Sequence, residues 1–273
     1  MKDLSGIRAE FNQHGYVIIE DFFNDSQLQG VLSGFNQLVC QQLDLLSCPK
    51  QNSLQQNLLS LFQRDQVRYL STIKAFSRIA AVHQAFNSDN FYNILDVMQI
   101  QCPTIPTGPV VHLMSDQLRL AGGYFGQGAH QDWSSMYSSL NALTFWVALT
   151  DVDDTNYPLE VIPGSHINGL IEGEATGHYF ELDLARYDSS LFQTVVVKAK
   201  SAVIFSPFLI HKTGLDSLSG FRLATSYRVD DSAEKYHTEQ AYYTAYTRSV
   251  NRTIDRKHWP AAELIKKQYT EVL

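Results

Sequence analysis

Short stretches of β-forming residues fill the chain after about residue 97 and constrain its fold more than any other feature. Turn-forming Gly, Pro, Asn and Asp residues separate these stretches. Many short strands with turn residues between them are typical of a β-sandwich or jelly roll. We predict strands at residues 97–102, 110–114, 117–121, 143–150, 159–162, 194–197, 202–205, 209–213 and 221–229.

The first hundred or so residues are predicted to be mostly helical. Leu4, Ile7 and Phe11 recur at helical spacing, and Gly15 can end that helix before a short buried strand at 16–19. Further helices are predicted at residues 25–43, 67–86 and 261–268. The predicted fold is an all-β core, a double-stranded β-helix (a cupin-like jelly roll), with a helical N-terminal layer. We predict a single domain over 1–273, with the helical layer at about 1–95, the β core at about 96–230 and a C-terminal extension at about 231–273.

Composition favours a soluble globular enzyme, with 44% hydrophobic and 18% charged residues. The formal net charge of -7 argues against a nucleic-acid partner, because phosphate binding needs clustered Lys and Arg. The sequence has neither an apolar run long enough to cross a membrane nor the apolar core of a signal peptide at its first residues. Three sparse cysteines, Cys40, Cys48 and Cys102, are typical of reduced thiols, so we expect a cytoplasmic protein.

A histidine and an aspartate stand two residues apart in the segment Ala129-His130-Gln131-Asp132-Trp133. On an extended segment such side chains point to the same side, so an imidazole and a carboxylate can meet one cation. A third ligand must come from elsewhere, and His211, after the hydrophobic run 202–205, is the best candidate. Two histidines and one carboxylate form the ligand set of non-haem Fe(II) oxygenases. A His-x-Asp pair alone is also common as two exposed polar neighbours.

An arginine and a threonine accompany His211. Thr213 shares a strand face with His211, and Arg222 begins a return strand eleven residues after the histidine. If the two strands form a hairpin, Arg222 lies nearly opposite His211. Its guanidinium can then grip a carboxylate, and the Thr213 hydroxyl can add a donor.

These residues resemble the phytanoyl-CoA dioxygenase family, which also includes ectoine hydroxylases. The matching pieces are His130-Gln131-Asp132, Pro163-Gly164-Ser165-His166, and His211-x-Thr213 with Arg222, preceded by Phe11 to Ile18 and Asp21-Phe22-Phe23. The similarity extends from about residue 7 to residue 230. The chain departs from the family in having Thr213 where Ser is commoner, and Asn156-Tyr157-Pro158 where an Asn-Gly pair often stands.

The resemblance implies a non-haem Fe(II)- and 2-oxoglutarate-dependent dioxygenase that uses O2 and releases succinate and CO2. It implies iron on His130, Asp132 and His211, and the distal carboxylate of 2-oxoglutarate on Arg222 and Thr213. Two further cosubstrate candidates are Gln117, thirteen residues before His130, and Trp146. The expected reaction is hydroxylation of a small-molecule metabolite or natural product, since a halogenase would lack the carboxylate of Asp132.

Other interpretations remain open at this stage. A cupin-type metal enzyme would keep the metal ligands without needing Arg222, and a non-catalytic binding protein could keep the same fold. Trp146 is as well explained by core packing. We expect His166 to belong to a structural turn, and His112 to be a hydrogen-bonded histidine of the core or of the cavity rim.

Overall fold

The computed structural model describes residues 6–120, 125–176, 179–215, 220–241 and 259–270. Among these residues the α-helices are α1 (Ile7–His14), α2 (Asp25–Leu45), α3 (Leu54–Arg64), α4 (Gln66–Ala75), α5 (Ala80–Phe86), α6 (Asp89–Val97), α7 (Trp133–Met136), α8 (Lys235–Glu239) and α9 (Ala262–Thr270). The strands are β1 (Tyr16–Ile19), β2 (Pro103–Thr104), β3 (Val110–Ser115), β4 (Leu143–Ala148), β5 (Leu159–Val161), β6 (Gly173–Ala175), β7 (Phe180–Leu182), β8 (Gln193–Val195), β9 (Ala202–Phe205), β10 (His211–Thr213) and β11 (Phe221–Asp231).

Local signals in the sequence start and stop the N-terminal helices. Gly15 ends α1 with a left-handed φ of 79°, and its amide donates to the Phe11 carbonyl. Asn24 begins α2 with a capping box, in which its side chain and that of Gln27 each accept from the other's backbone amide. Asp65 caps α4 by accepting from the Arg68 amide.

Two antiparallel sheets form the double-stranded β-helix. The larger runs β1-β9-β4-β11-β2, with β3 also paired to β11, and the smaller runs β10-β5-β8. Strands β6 and β7 make a separate pair. The predicted all-β core with a helical layer is therefore confirmed.

The central strand β4 is buried on both faces, which places the helical layer and the interior on opposite sides of the large sheet. Phe145 and Val147 join the apolar core that the helices share. Trp146 points the other way, into a cluster with Val161 of the small sheet and Phe205 of β9. This alternation follows from the two-residue period of a strand. The interior between the sheets is where polar residues of the candidate site lie.

The helix α9 packs one aromatic side chain against the core. Tyr269 is buried, its hydroxyl is hydrogen-bonded to the Ser206 hydroxyl, and it donates to the Leu140 carbonyl at 3.3 Å. Its ring lies 4.5 Å from that of His166. The predicted helix at 261–268 is confirmed with slightly shifted bounds.

Three predictions of local structure are wrong. Residues 97–102 form no strand, because α6 extends to Val97 and the pairing of β2 with β11 begins only at Pro103. Residues 116–118 form a 3-10 turn instead of a strand, and residue 121 lies outside the described residues. The helix at 67–86 is divided by a 3-10 turn at Phe76–Arg78 and by the extended Ile79.

The hairpin between the strands that carry His211 and Arg222 is also wrong. β10 pairs with β5 in the small sheet, whereas β11 pairs with β3 and β4 in the large one. The two strands follow one another in sequence but cross from one sheet to the other. Among the described residues, no helix is long and apolar enough to span a membrane.

Gly15 offers a test of how closely the N-terminal turn packs. A Cβ built there would lie 2.5 Å from Nδ1 of His166 and 2.9 Å from Cδ1 of Leu209, and the φ is left-handed. Gly15→Ala is expected to lower the free energy of unfolding by about 2–5 kcal/mol, from backbone strain and overpacking together. Denaturant-induced unfolding measures this.

Gly108→Ala is the matched control, because nothing lies within 4 Å of a Cβ at Gly108. It should change the free energy of unfolding by less than about 1 kcal/mol. Equal stability of the two variants would contradict the packing described for Gly15.

Candidate metal centre

Two histidines from distant segments face each other across an isolated antiparallel bridge. The His130 amide donates to the His211 carbonyl at 3.0 Å, and the His211 amide donates back at 3.1 Å. The two rings lie on the same side, with centroids 4.1 Å apart. Backbone pairing therefore sets the distance between the two imidazoles.

Each imidazole is oriented by a carbonyl two residues earlier in the chain. Nδ1 of His130 lies 2.8 Å from the Gly128 oxygen, and Nδ1 of His211 lies 2.9 Å from the Leu209 oxygen. A carbonyl only accepts, so each Nδ1 carries a proton, and in the neutral form of each ring the lone pair is on Nε2. Burial and the neighbouring His130 lower the pKa of His211 to about 3, so its ring is neutral at physiological pH. Nε2 of His130 is buried without a hydrogen-bond partner in the described part of the chain.

The carboxylate of Asp132 completes the group. Its Oδ1 lies 3.6 Å from Nε2 of His130 and 3.8 Å from Nε2 of His211. Burial opposes its charge, but the positive Arg228 guanidinium beside it holds its pKa well below the usual range. One ligand atom from each of the three residues lies within 4.8 Å of the other two. Two imidazole nitrogens and one carboxylate oxygen fit the donor set that holds Fe(II).

The chain bends at Asp132 and does not continue as a strand. Its φ of -59° and ψ of -34° are helical, and it directly precedes α7. The expectation that an extended segment aligns His130 with Asp132 is therefore only half right. The His130 side is held by the bridge, and the turn into α7 brings the carboxylate to the same point.

Gln131, between the two candidate ligands, is saturated with backbone hydrogen bonds. Its side-chain nitrogen donates to the carbonyls of Gly169 at 2.9 Å and Phe208 at 2.7 Å. Its side-chain oxygen accepts from the Ile171 amide at 2.9 Å. This buried amide ties the His130 segment to the segment that leads into His211.

Arg222, Thr213 and Trp146 line the same cavity as the two histidines. Arg222 is buried, donates to the Tyr157 carbonyl, and lies 5.5 Å from the Trp146 ring. The Thr213 hydroxyl accepts from the Gln127 amide at 3.2 Å. Arg222 and Thr213 reach the cavity from opposite sheets, although the sequence suggested one hairpin.

The turn Asn156-Tyr157-Pro158, where the sequence departs from the family pattern, contacts Arg222 of this cavity. Tyr157 has a φ of 63°, in the left-handed region that favours glycine, and its carbonyl receives the Arg222 bond. Tyr157 is fully buried, and its ring packs edge-on against Phe125 at 5.7 Å.

The structure does not bring Gln117 to the cavity. It is exposed on the 3-10 turn Asp116–Leu118, where its backbone amide donates to the Ser115 hydroxyl. It is not among the residues that line the cavity. His112 does line the cavity, with Nε2 2.8 Å from the Ser226 hydroxyl. Burial and the charges of Arg222 and Arg228 lower its pKa to about 3.

His166 lies away from the candidate ligands, in the 3-10 turn Ser165–Asn168. It is fully buried, with Nε2 3.1 Å from the Asn12 carbonyl. Burial lowers its pKa to about 4. The position fits the predicted structural turn.

Two residues at the site were missed from the sequence. Arg228 and Thr144 both donate to Oδ2 of Asp132. Arg228 follows Arg222 by six residues on β11, so the two-residue period of a strand places both on one face. The strand predicted at 221–229 already carried both arginines, but nothing local in the sequence indicates that Arg228 contacts Asp132.

Comparison with known proteins identifies one family over most of the chain. A model of the phytanoyl-CoA dioxygenase family matches residues 11–223. A phytanoyl-CoA dioxygenase of Arabidopsis thaliana is 25% identical over 253 residues, covering 81% of this chain and 87% of its own length.

Solved structures support the fold alone, because their sequence identity is low. The apo form of the non-heme monooxygenase ThoJ has a TM-score of 0.57 and 15% identity, covering 84% of this chain and 77% of its own. The epimerase SnoN, solved with Fe3+, alpha ketoglutarate and nogalamycin RO, has a TM-score of 0.51 and 17% identity, covering 84% of each chain. Because the family model spans most of the sequence, this chain belongs to the phytanoyl-CoA dioxygenase family of Fe(II)- and 2-oxoglutarate-dependent oxygenases.

Proposed function

We propose that His130, Asp132 and His211 hold the Fe(II), that Arg222 and Thr213 bind the distal carboxylate of 2-oxoglutarate, and that the enzyme hydroxylates a small-molecule metabolite or natural product. The observation that carries this proposal is the convergence of two Nε2 atoms and one carboxylate oxygen in a buried site. When bound there, Fe(II) would couple the activation of O2 to oxidative decarboxylation of 2-oxoglutarate, giving succinate and CO2.

The protein's own residues would orient the reactants and exclude water. The carbonyls of Gly128 and Leu209 fix the tautomer of the two neutral imidazoles, so that Nε2 of each ring would be the nitrogen that binds the metal. A buried guanidinium suits a carboxylate because it can donate two parallel hydrogen bonds. Arg222 lies against the Trp146 ring, which would limit its movement and flank the cosubstrate. The cavity lies between the two sheets, where apolar walls such as Phe205 and Leu159 would keep bulk water out.

We further propose that the whole chain forms one oxygenase domain and works in the cytoplasm. The helices and the large sheet share one apolar core, to which Ile265 of the last described helix also belongs. All three cysteines are free, as expected in a reducing compartment.

Removal of any of the three ligands is expected to weaken metal binding severely. His130→Ala, Asp132→Ala and His211→Ala should each raise the dissociation constant for Fe(II) by more than the roughly 10–100-fold that loss of a supporting residue costs. Anaerobic Fe(II) titration measures this. His83→Ala serves as the control, since His83 is exposed on α5 and its Nε2 lies 2.7 Å from the Ser77 carbonyl. A variant that binds Fe(II) as tightly as the native protein would remove that residue from the site.

Loss of Arg222 is expected to weaken the binding of 2-oxoglutarate and to leave the binding of Fe(II) unchanged. A charge-assisted contact contributes roughly 1.5–3 kcal/mol against about 1 kcal/mol for a neutral bond. Arg222→Ala should therefore raise the apparent constant for 2-oxoglutarate by about tenfold to a hundredfold. Arg222→Lys should restore only part of this, Thr213→Val should cost less, and Thr213→Ser should be nearly silent. The measurement is succinate formation against 2-oxoglutarate concentration at saturating Fe(II).

Gln117→Ala provides the comparison, because the exposed side chain lies outside the cavity and its loss should leave the curve unchanged. An unchanged curve for Arg222→Ala would show that another cation holds the cosubstrate. Iron binding with no succinate formation under any condition would favour a cupin-type enzyme or a non-catalytic protein on the same fold.

A further inference from the structure

The two oxygens of the Asp132 carboxylate have different surroundings. Oδ2 accepts from the Thr144 hydroxyl at 3.0 Å and from Nε of Arg228 at 3.2 Å, while Nη2 of Arg228 lies 3.1 Å away. Oδ1 is the oxygen that faces Nε2 of both histidines. One oxygen is therefore held by the large sheet, and the other points to the metal site.

The two donors are neighbours across adjacent strands. Arg228 on β11 pairs in register with Thr144 on β4, so their side chains rise from the same face of the sheet. Nη1 of Arg228 also donates to the Ser226 hydroxyl at 3.1 Å. This second contact limits the rotation of the guanidinium, so Nε and Nη2 are already directed toward Asp132 before any metal binds.

We propose that Arg228, together with Thr144, is a positioning pair that holds Oδ2 of Asp132 and makes this carboxylate a one-oxygen metal ligand. The inference rests on the proposed function, in which Asp132 binds Fe(II). A carboxylate can bind a cation through one oxygen or through both. With Oδ2 occupied by three contacts, only Oδ1 would be available to a bound metal, which would leave more of the metal's surroundings to the cosubstrate.

The ion pair between Asp132 and Arg228 also supports a positioning role for Arg228. Asp132 and Arg228 are both largely buried, with side chains 7% and 13% exposed, so each lowers the cost of keeping the other charged inside the protein. The contact engages Nε and Nη2, which are two arms of the guanidinium, and lysine cannot reproduce it. Arg222, on the same strand, instead donates to the Tyr157 carbonyl and lies against the Trp146 ring. The two arginines of β11 are therefore assigned different tasks.

Co(II) binding tests the assignment without relying on turnover, since its visible absorption reports both affinity and coordination number. Arg228→Lys should weaken Co(II) binding by about 10–100-fold, the range typical for loss of a residue that supports a ligand. Its absorption at saturating Co(II) should also change, because the released carboxylate can bind through both oxygens. Thr144→Val, which keeps the side-chain shape, should weaken Co(II) binding by up to about tenfold.

Two other arginines serve as controls for the same chemical change. Arg222→Lys should leave the Co(II) affinity and spectrum unchanged while weakening 2-oxoglutarate binding. Arg186→Lys should change neither, since Arg186 is exposed and forms ion pairs outside the cavity. Circular dichroism of the metal-free proteins checks folding; if Arg228→Lys does not fold, Thr144→Val decides the question.

The outcomes separate the inference from the proposed function. If the native protein fails to bind Co(II), the metal assignment is wrong and the inference fails with it. If the native protein binds but Arg228→Lys and Thr144→Val show native affinity and spectrum, the ligand assignment stands and the positioning role is wrong. If Arg228→Lys weakens 2-oxoglutarate and leaves Co(II) unchanged, Arg228 belongs to the anion site, and the positioning role is again wrong.

Discussion

Two backbone hydrogen bonds between His130 and His211 are the interaction on which the site depends. They join segments that are far apart in the chain and bring the two imidazoles to a fixed spacing before any metal is present. The neighbouring groups follow this pairing: Gln131 bonds to the backbone on both sides of it, and Asp132 turns into α7 just beyond it. A preformed pair of ligands lowers the entropy lost when a metal binds.

The helical layer supports this arrangement from outside. Because β4 is buried on both faces, its odd-numbered side chains pack against the helices while Trp146 and Thr144 face the interior. The aromatic rings of Phe22, Phe86 and Phe91 cluster around Phe145 and Tyr227 on the outer face. The position of a cavity residue such as Thr144 is thus determined partly by aromatic packing on the other side of the sheet.

The fold class could be predicted because hydrophobic strands separated by turn residues leave a clear periodic signal. The strand at 202–205 was predicted with its observed bounds, and the candidate metal residues were found from a spacing that chemistry restricts. The failures lie where the signal is ambiguous. The segment 97–102, with four apolar residues and two glutamines, fits a helix end as well as a strand, and the local sequence cannot decide between them.

The position of Arg222 relative to His211 depends on which strands pair with β10 and β11, and the local sequence does not determine this pairing. A turn between two strands suggested a hairpin, but the strands from β8 to β11 alternate between the small and the large sheet. Arg222 nevertheless reaches the cavity, since both sheets face the same interior. Arg228 was missed because its role depends on a contact with Asp132, 96 residues away in sequence.

The division of the cavity between two sheets has a mechanical consequence. Thr213 belongs to the small sheet and Arg222 to the large one, with the candidate iron ligands beside them. A dicarboxylate bound to both residues would link the two sheets and would resist the sliding of one sheet over the other. Under the proposed assignment, bound 2-oxoglutarate would stiffen the double-stranded β-helix. This stiffening would last from the binding of 2-oxoglutarate until its conversion to succinate.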